Sequence, residues 1–78
     1  RIILTLVEPK SRVLDMGCGD GELLYLLNKN LATRSQGIEI DHDQIVQSVE
    51  RGINVLLGDL DSGLTDFKDN SFDYVILN

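Results

Sequence analysis

Apolar positions along the chain switch between short uninterrupted runs and sets spaced three and four apart. Arg12–Met16 (RVLDM) is a short apolar run closed by glycines, the pattern of a buried strand. Residues 22–30 place Leu23, Leu24, Leu26 and Leu27 on one face of a helix. Residues 36–40 (QGIEI) read as a second strand. Asp41 then stands where a helix cap belongs, opening a helix to about Arg51 with Ile45, Val46 and Val49 on its inner face. Gly52 follows at the usual place of a helix C-cap glycine. Residues 54–57 (NVLL) and 72–77 (FDYVIL) predict a third and a fourth strand, separated by a turn-rich stretch over 58–70. Ahead of all this, residues 2–7 resemble the tail of a helix that Pro9 stops.

Strands alternating with helices predict an α/β fold, a Rossmann-like doubly wound parallel sheet with crossover helices on its faces. Right-handed crossovers give the expected strand order 3-2-1-4. Near-continuous apolar strands agree, because parallel strands are covered on both faces. The fourth strand would be an apolar outer edge at the end of the sequence, which also opens at Arg1 rather than Met. Residues 1–78 are therefore expected to be part of one domain, its amino-terminal half, with further strands following.

Open α/β sheets bind ligands at the carboxyl ends of their strands, and the chemistry of this chain collects there. Between the first strand and first helix runs Asp15-Met16-Gly17-Cys18-Gly19-Asp20-Gly21. Glycines there let the backbone turn sharply and approach a ligand closely. A plain glycine-rich turn would look similar, but three alternating glycines opened by an acid favour a ligand loop. A dinucleotide fingerprint would read G-x-G-x-x-G and seat a pyrophosphate on the helix N-terminus. Here the spacing is G-x-G-x-G, and Asp15, Asp20 and Glu22 crowd the turn. Three carboxylates repel a pyrophosphate and suit a phosphate-free ligand carrying ammonium and sulfonium cations. S-adenosylmethionine (SAM) is such a ligand.

Two more acids stand at strand ends. Glu39 lies eighteen residues past Gly21, where this fold places a carboxylate that accepts from ribose hydroxyls. Asp59, in Gly58-Asp59-Leu60, has two roles open to it. It can accept from an adenine amino group while the following amide meets a ring nitrogen, or it can cap its own turn. Asp41-His42-Asp43 has the residue types of a metal site but reads better as a solvated helix start, where acids complement the dipole. Cys18, wedged between glycines with carboxylates nearby, reads as a small residue rather than a nucleophile.

Composition narrows the partners. Thirteen acidic and seven basic residues among 78 give a formal charge of −6, which argues against nucleic acid. No apolar run approaches the roughly 20 residues of a membrane span, and no basic segment with an apolar core opens the chain. The single cysteine excludes an internal disulfide and fits a reducing compartment, so a cytoplasmic location is expected.

Residues 14–23 (LDMGCGDGEL), 37–41 (GIEID), 58–61 (GDLD) and 71–77 (SFDYVIL) resemble motifs I to IV of class I SAM-dependent methyltransferases, in order along nearly the whole chain. More narrowly, DGELLYLL, GIEID, RGINVLLGDLDSGLTDF and DNSFDYVIL resemble the MetW family, linked to methionine biosynthesis and acting with homoserine O-acetyltransferase. The resemblance implies that Gly17, Cys18, Gly19 and Gly21 take the methionine moiety of SAM, with Asp15 near its ammonium group. It further implies that Glu39 holds the ribose, Ile40 packs on the adenine face, and Asp59 with Leu60 reads the adenine edge. Asn78 stands where such proteins place a substrate-facing residue. MetW-like chains tend to carry Ser there, and Asn also opens the Asn-Pro-Pro-aromatic motif of amino-directed methyltransferases.

Two function classes follow. One is a methyltransferase acting on a small-molecule substrate, in which positioning supplies most of the rate. The other is a methyltransferase-like module that supports homoserine O-acetyltransferase by binding it.

Overall fold

The computed structural model describes residues 7–59 and 71–77. Within them, four parallel strands form one sheet: β1 (Arg12–Met16), β2 (Arg34–Glu39), β3 (Val55–Leu57) and β4 (Tyr74–Leu77), in the order β3-β2-β1-β4. Helix α1 (Glu22–Leu31) joins β1 to β2, and α2 (His42–Glu50) joins β2 to β3. This is the 3-2-1-4 order expected for the doubly wound fold. The helix tail expected over 2–7 lies outside the described residues except for Val7, which is buried in a bend.

Central β1 sets the two layers. Its alternating side chains point to opposite faces, and both faces are covered, so Val13, Leu14, Asp15 and Met16 are all buried. One face packs Val13 with Leu24 and Leu27 of α1, Ile53, Val55, Tyr74 and Ile76. The other face gathers Leu14, Met16 and Ile38, with Phe72 against them. Register follows from the apolar pattern: Met16 sits beside Ile38 on one side and Leu77 on the other. Toward the sheet edges the cover thins, and Leu56, Val75 and Leu77 are exposed.

The helix ends follow local chemistry. Asp41 caps α2, its carboxylate accepting from the Gln44 amide at 3.1 Å. Gly52 takes the left-handed conformation expected past the helix end, at φ +81°. The expected inner face of α2 is corrected by the structure. Ile45 is half-buried, but Val46 and Val49 are 56% and 59% exposed, whereas Ser48 is completely buried. The reason is that α2 turns a stripe of polar residues toward the glycine-rich turn after β1, so apolar burial does not set its orientation.

At the other end of the sheet, Arg12 and Asp73 clamp the starts of β1 and β4. The Asp73 amide donates to the Arg12 carbonyl and the Arg12 amide donates to the Asp73 carboxylate, both at 2.8 Å. The guanidinium adds an ion pair at 3.0 Å. These contacts hold the Asp73 carboxyl below the usual carboxylate range. A depressed native value means the clamp stabilises the fold above the unfolded pKa and is lost as pH falls through the native one. Both side chains are half-exposed, so the effect is small and salt-sensitive. Asp73→Asn should lower the melting temperature by at most about a few degrees at neutral pH. The difference from the wild type should begin to shrink below about pH 4 and vanish only below the lower native value, which thermal melts across pH would check.

Candidate functional site

The turn after β1 is held over the end of β2. The amides of Gly17 and Cys18 both donate to the Ile38 carbonyl, at 2.7 and 3.0 Å. The Gly21 amide then donates to the Cys18 carbonyl at 3.1 Å, closing the loop into α1. Gly17, Gly19 and Gly21 all have positive φ. Gly21 has tighter surroundings than Gly19: a Cβ there would lie 2.8 Å from the Ser48 hydroxyl and 3.1 Å from the Ser48 Cα. Asp20 accepts from the Glu22 amide at 3.0 Å and so covers the first turn of α1, where Gly21 offers no side chain.

Gly37, in the middle of β2, is a requirement that the sequence pattern did not single out. Its missing side chain is where the Cys18 thiol sits, 2.6 Å from an ideal Cβ. The loop packs onto β2 only because that position is bare.

Glu39, the last residue of β2, binds the loop directly. Its Oε1 accepts from the Gly19 amide at 2.7 Å, and its Oε2 accepts from the Ile40 and Asp41 amides at 3.1 and 3.0 Å. Three of a carboxylate's roughly four acceptor sites are thereby engaged. The Gly58 amide donates to the Glu39 carbonyl at 3.1 Å, which brings the Gly58-Asp59 turn alongside.

These contacts enclose a cavity of about 200 Å³ at the carboxyl ends of the strands, lined by Met16, Gly17, Glu39, Ile40, Gly58, Asp59 and Leu77. The structure thus brings four of the expected residues, Gly17, Glu39, Ile40 and Asp59, to one place. Cys18, Gly19 and Gly21 form the adjoining loop, and Asp15 is buried at the end of β1 instead of lining the cavity. Leu60 and Asn78 lie outside the described residues. Met16 and Leu77, adjacent strand-end positions on one face, add an apolar wall that motif reading missed. Among the described residues, two carboxylates and no Lys or Arg line the cavity. A nucleoside with hydroxyl and amino donors and a cationic tail matches acceptors of this kind.

The Cys18 thiol is pushed up from its ordinary pKa, first by burial and then by the charges of Asp15 and Glu39, with a contact from Ser48 opposing. It is a packed, protonated thiol.

The Methionine biosynthesis protein MetW family model matches residues 1–78. The chain belongs to the MetW family. A relative, the bifunctional methionine biosynthesis protein MetXA/MetW of Rhodopirellula baltica, is 39% identical over 84 residues, covering 97% of this chain. The MetW chain spans 14% of that relative's length. Among solved structures, a TehB-like SAM-dependent methyltransferase from Corynebacterium glutamicum superposes with a TM-score of 0.80 at 22% identity, over 100% of this chain and 42% of that one. An RNA methyltransferase from Salinibacter ruber in complex with S-adenosyl-L-homocysteine superposes with a TM-score of 0.72 at 25% identity, over 97% and 52%. This MetW-family chain is therefore methyltransferase-like in fold, related to methionine biosynthesis by family.

Two measurements check the packing of the loop. Gly37→Ala should cost about 1–3 kcal/mol of stability by forcing a methyl group onto the Cys18 thiol, read by urea unfolding. Cys18 should react with iodoacetamide far more slowly than a free thiol at pH 7–8, and denaturation should restore the ordinary rate.

Proposed function

We propose that residues 1–78 form the amino-terminal half of a SAM-binding domain, and that the protein transfers the SAM methyl group to a small-molecule acceptor in methionine biosynthesis. The observation that carries this reading is the convergence of Gly17, Glu39, Ile40 and Asp59 on one cavity at the strand ends, where two carboxylates meet an apolar wall. Family membership and the S-adenosyl-L-homocysteine held by a protein of similar fold support it. When bound, SAM supplies an activated methyl group. The chain's own part is to bind and to orient. Glu39 accepts from the ribose, Ile40 lies along the adenine face, and Asp59 with Leu60 takes the adenine edge. Gly17, Cys18, Gly19 and Gly21 accommodate the methionine end, with Asp15 lending negative charge behind them and Asn78 facing the acceptor. In-line alignment of a nucleophile then supplies most of the rate.

A second reading is favoured by one observation. In the Rhodopirellula baltica relative, MetXA and MetW are parts of a single bifunctional protein. Fusion of that kind fits a non-catalytic module that supports homoserine O-acetyltransferase by contact and needs no SAM.

Calorimetric titration of the full-length protein with SAM separates these readings. The methyltransferase reading expects micromolar binding that Glu39→Ala weakens by roughly 10- to 100-fold, the worth of hydrogen bonds to a charged acceptor. No binding by the intact protein would sink it. Co-elution with homoserine O-acetyltransferase at unchanged strength without SAM would then favour the second.

A further inference from the structure

Helix α2 presents Gln44, Ser48 and Arg51 at spacings of four and three, one stripe along its length, and this stripe faces the glycine loop. Ser48 is completely buried, and its hydroxyl donates to the Gly19 carbonyl at 2.8 Å. The same hydroxyl lies 3.8 Å from the Cys18 thiol. One turn on, the Arg51 guanidinium reaches Asp20 at 3.7 Å. At the start of the stripe, the Gln44 amide oxygen lies 3.8 Å from where a Gly19 Cβ would stand.

Gly19 is therefore held at both of its backbone polar groups by side chains from two different elements. Glu39 of β2 takes its N–H, and Ser48 of α2 supplies a donor to its C=O. At φ +60° the residue needs glycine, and its carbonyl takes the Ser48 hydroxyl at 2.8 Å as its short donor, beside the Cys18 thiol at 3.8 Å. We propose that Ser48 is a positioning residue for the SAM pocket: it sets the Gly19–Asp20 peptide, and through it the part of the loop that meets the methionine moiety. This inference rests on the SAM-binding reading and deepens it. A buried serine inside a helix otherwise competes for backbone groups of its own helix. Here the hydroxyl is spent on another element, and without it the Gly19 carbonyl would keep only the longer contact from the Cys18 thiol, at 3.8 Å.

Position in the loop predicts which ligands notice. S-adenosylhomocysteine spans both ends of the pocket, whereas adenosine reaches only the end served by Glu39, Ile40 and Asp59. In the full-length protein, Ser48→Ala should weaken S-adenosylhomocysteine binding by roughly 5- to 20-fold while adenosine affinity changes less than about twofold. Amide hydrogen exchange should accelerate at residues 18–21 and stay unchanged in β1 and α1. A merely structural serine would lower both affinities together or neither, and either result overturns the proposal. Should Ser48→Ala fail to fold, Arg51→Gln carries the test from the exposed end of the stripe. A selective loss for S-adenosylhomocysteine supports the hold by α2, and an equal loss or none overturns it. A wild-type protein that binds adenosine but not S-adenosylhomocysteine overturns this proposal together with the SAM reading. Normal wild-type binding with an unselective variant overturns this proposal alone.

Discussion

One carbonyl, that of Ile38, accepts from the successive amides of Gly17 and Cys18, and the arrangement of the strand ends depends on it. Two donors on one acceptor pull the chain leaving β1 sideways over β2. The loop cannot continue along the strand direction and must enter α1 from above its neighbour. That close crossing requires the bare Gly37 beneath Cys18, and it delivers the Gly19 amide to Glu39. Parallel pairing of β1 with β2 is thus the scaffold, and the doubly engaged carbonyl is what converts it into a site.

Acids in and around the loop look different in this light. Their number argues for a ligand without phosphate, yet several first serve the protein's own backbone. Asp20 accepts from the Glu22 amide and pairs with Arg51, and Glu39 accepts from three amides. A carboxylate fixed by amides is ordered before any ligand arrives, which removes part of the ordering cost of binding.

Much of this was legible because apolar runs and turn chemistry are local. β1 occupies the residues its pattern predicts, α1 runs one residue longer, and Asp41 and Gly52 bound α2 as their chemistry requires. The polar start of β2 at Arg34 was not legible, because the ladder with β1 forms that part of the strand and burial does not. Strand β4 begins at Tyr74 instead of Phe72, because Asp73 is committed to the Arg12 clamp. At the site, strand-end acids and glycines were readable from spacing alone, since the fold fixes where strand ends go. Ser48 and Gly37 were not, because their roles arise from contacts twenty-nine and nineteen residues away in sequence. An apolar rule assigned the inner face of α2 to Val46 and Val49. A helix lying on exposed loop backbone must bury donors instead, and only a small hydroxyl both fits and donates.

On the proposed SAM reading, Gly19 is then the place where the two ends of the pocket would communicate. Glu39 has about one acceptor site left, so a ribose that offers two hydroxyls can satisfy both only if a backbone donor yields. The Ile40 and Asp41 amides share Oε2, and the Gly19 amide holds Oε1 alone. Losing the shared oxygen's second donor costs less than losing the only bond at Oε1, because the 2.7 Å contact is the shortest of the three. Exchange at Oε2 would therefore leave the loop in place while a sugar was accepted. Exchange at Oε1 would free the Gly19 amide and leave its carbonyl contacts, from Ser48 at 2.8 Å and the Cys18 thiol at 3.8 Å, as the side-chain hold on that residue. The geometry favours the first course, in which, on the proposed SAM reading, the sugar end would adapt and the methionine end would stay fixed.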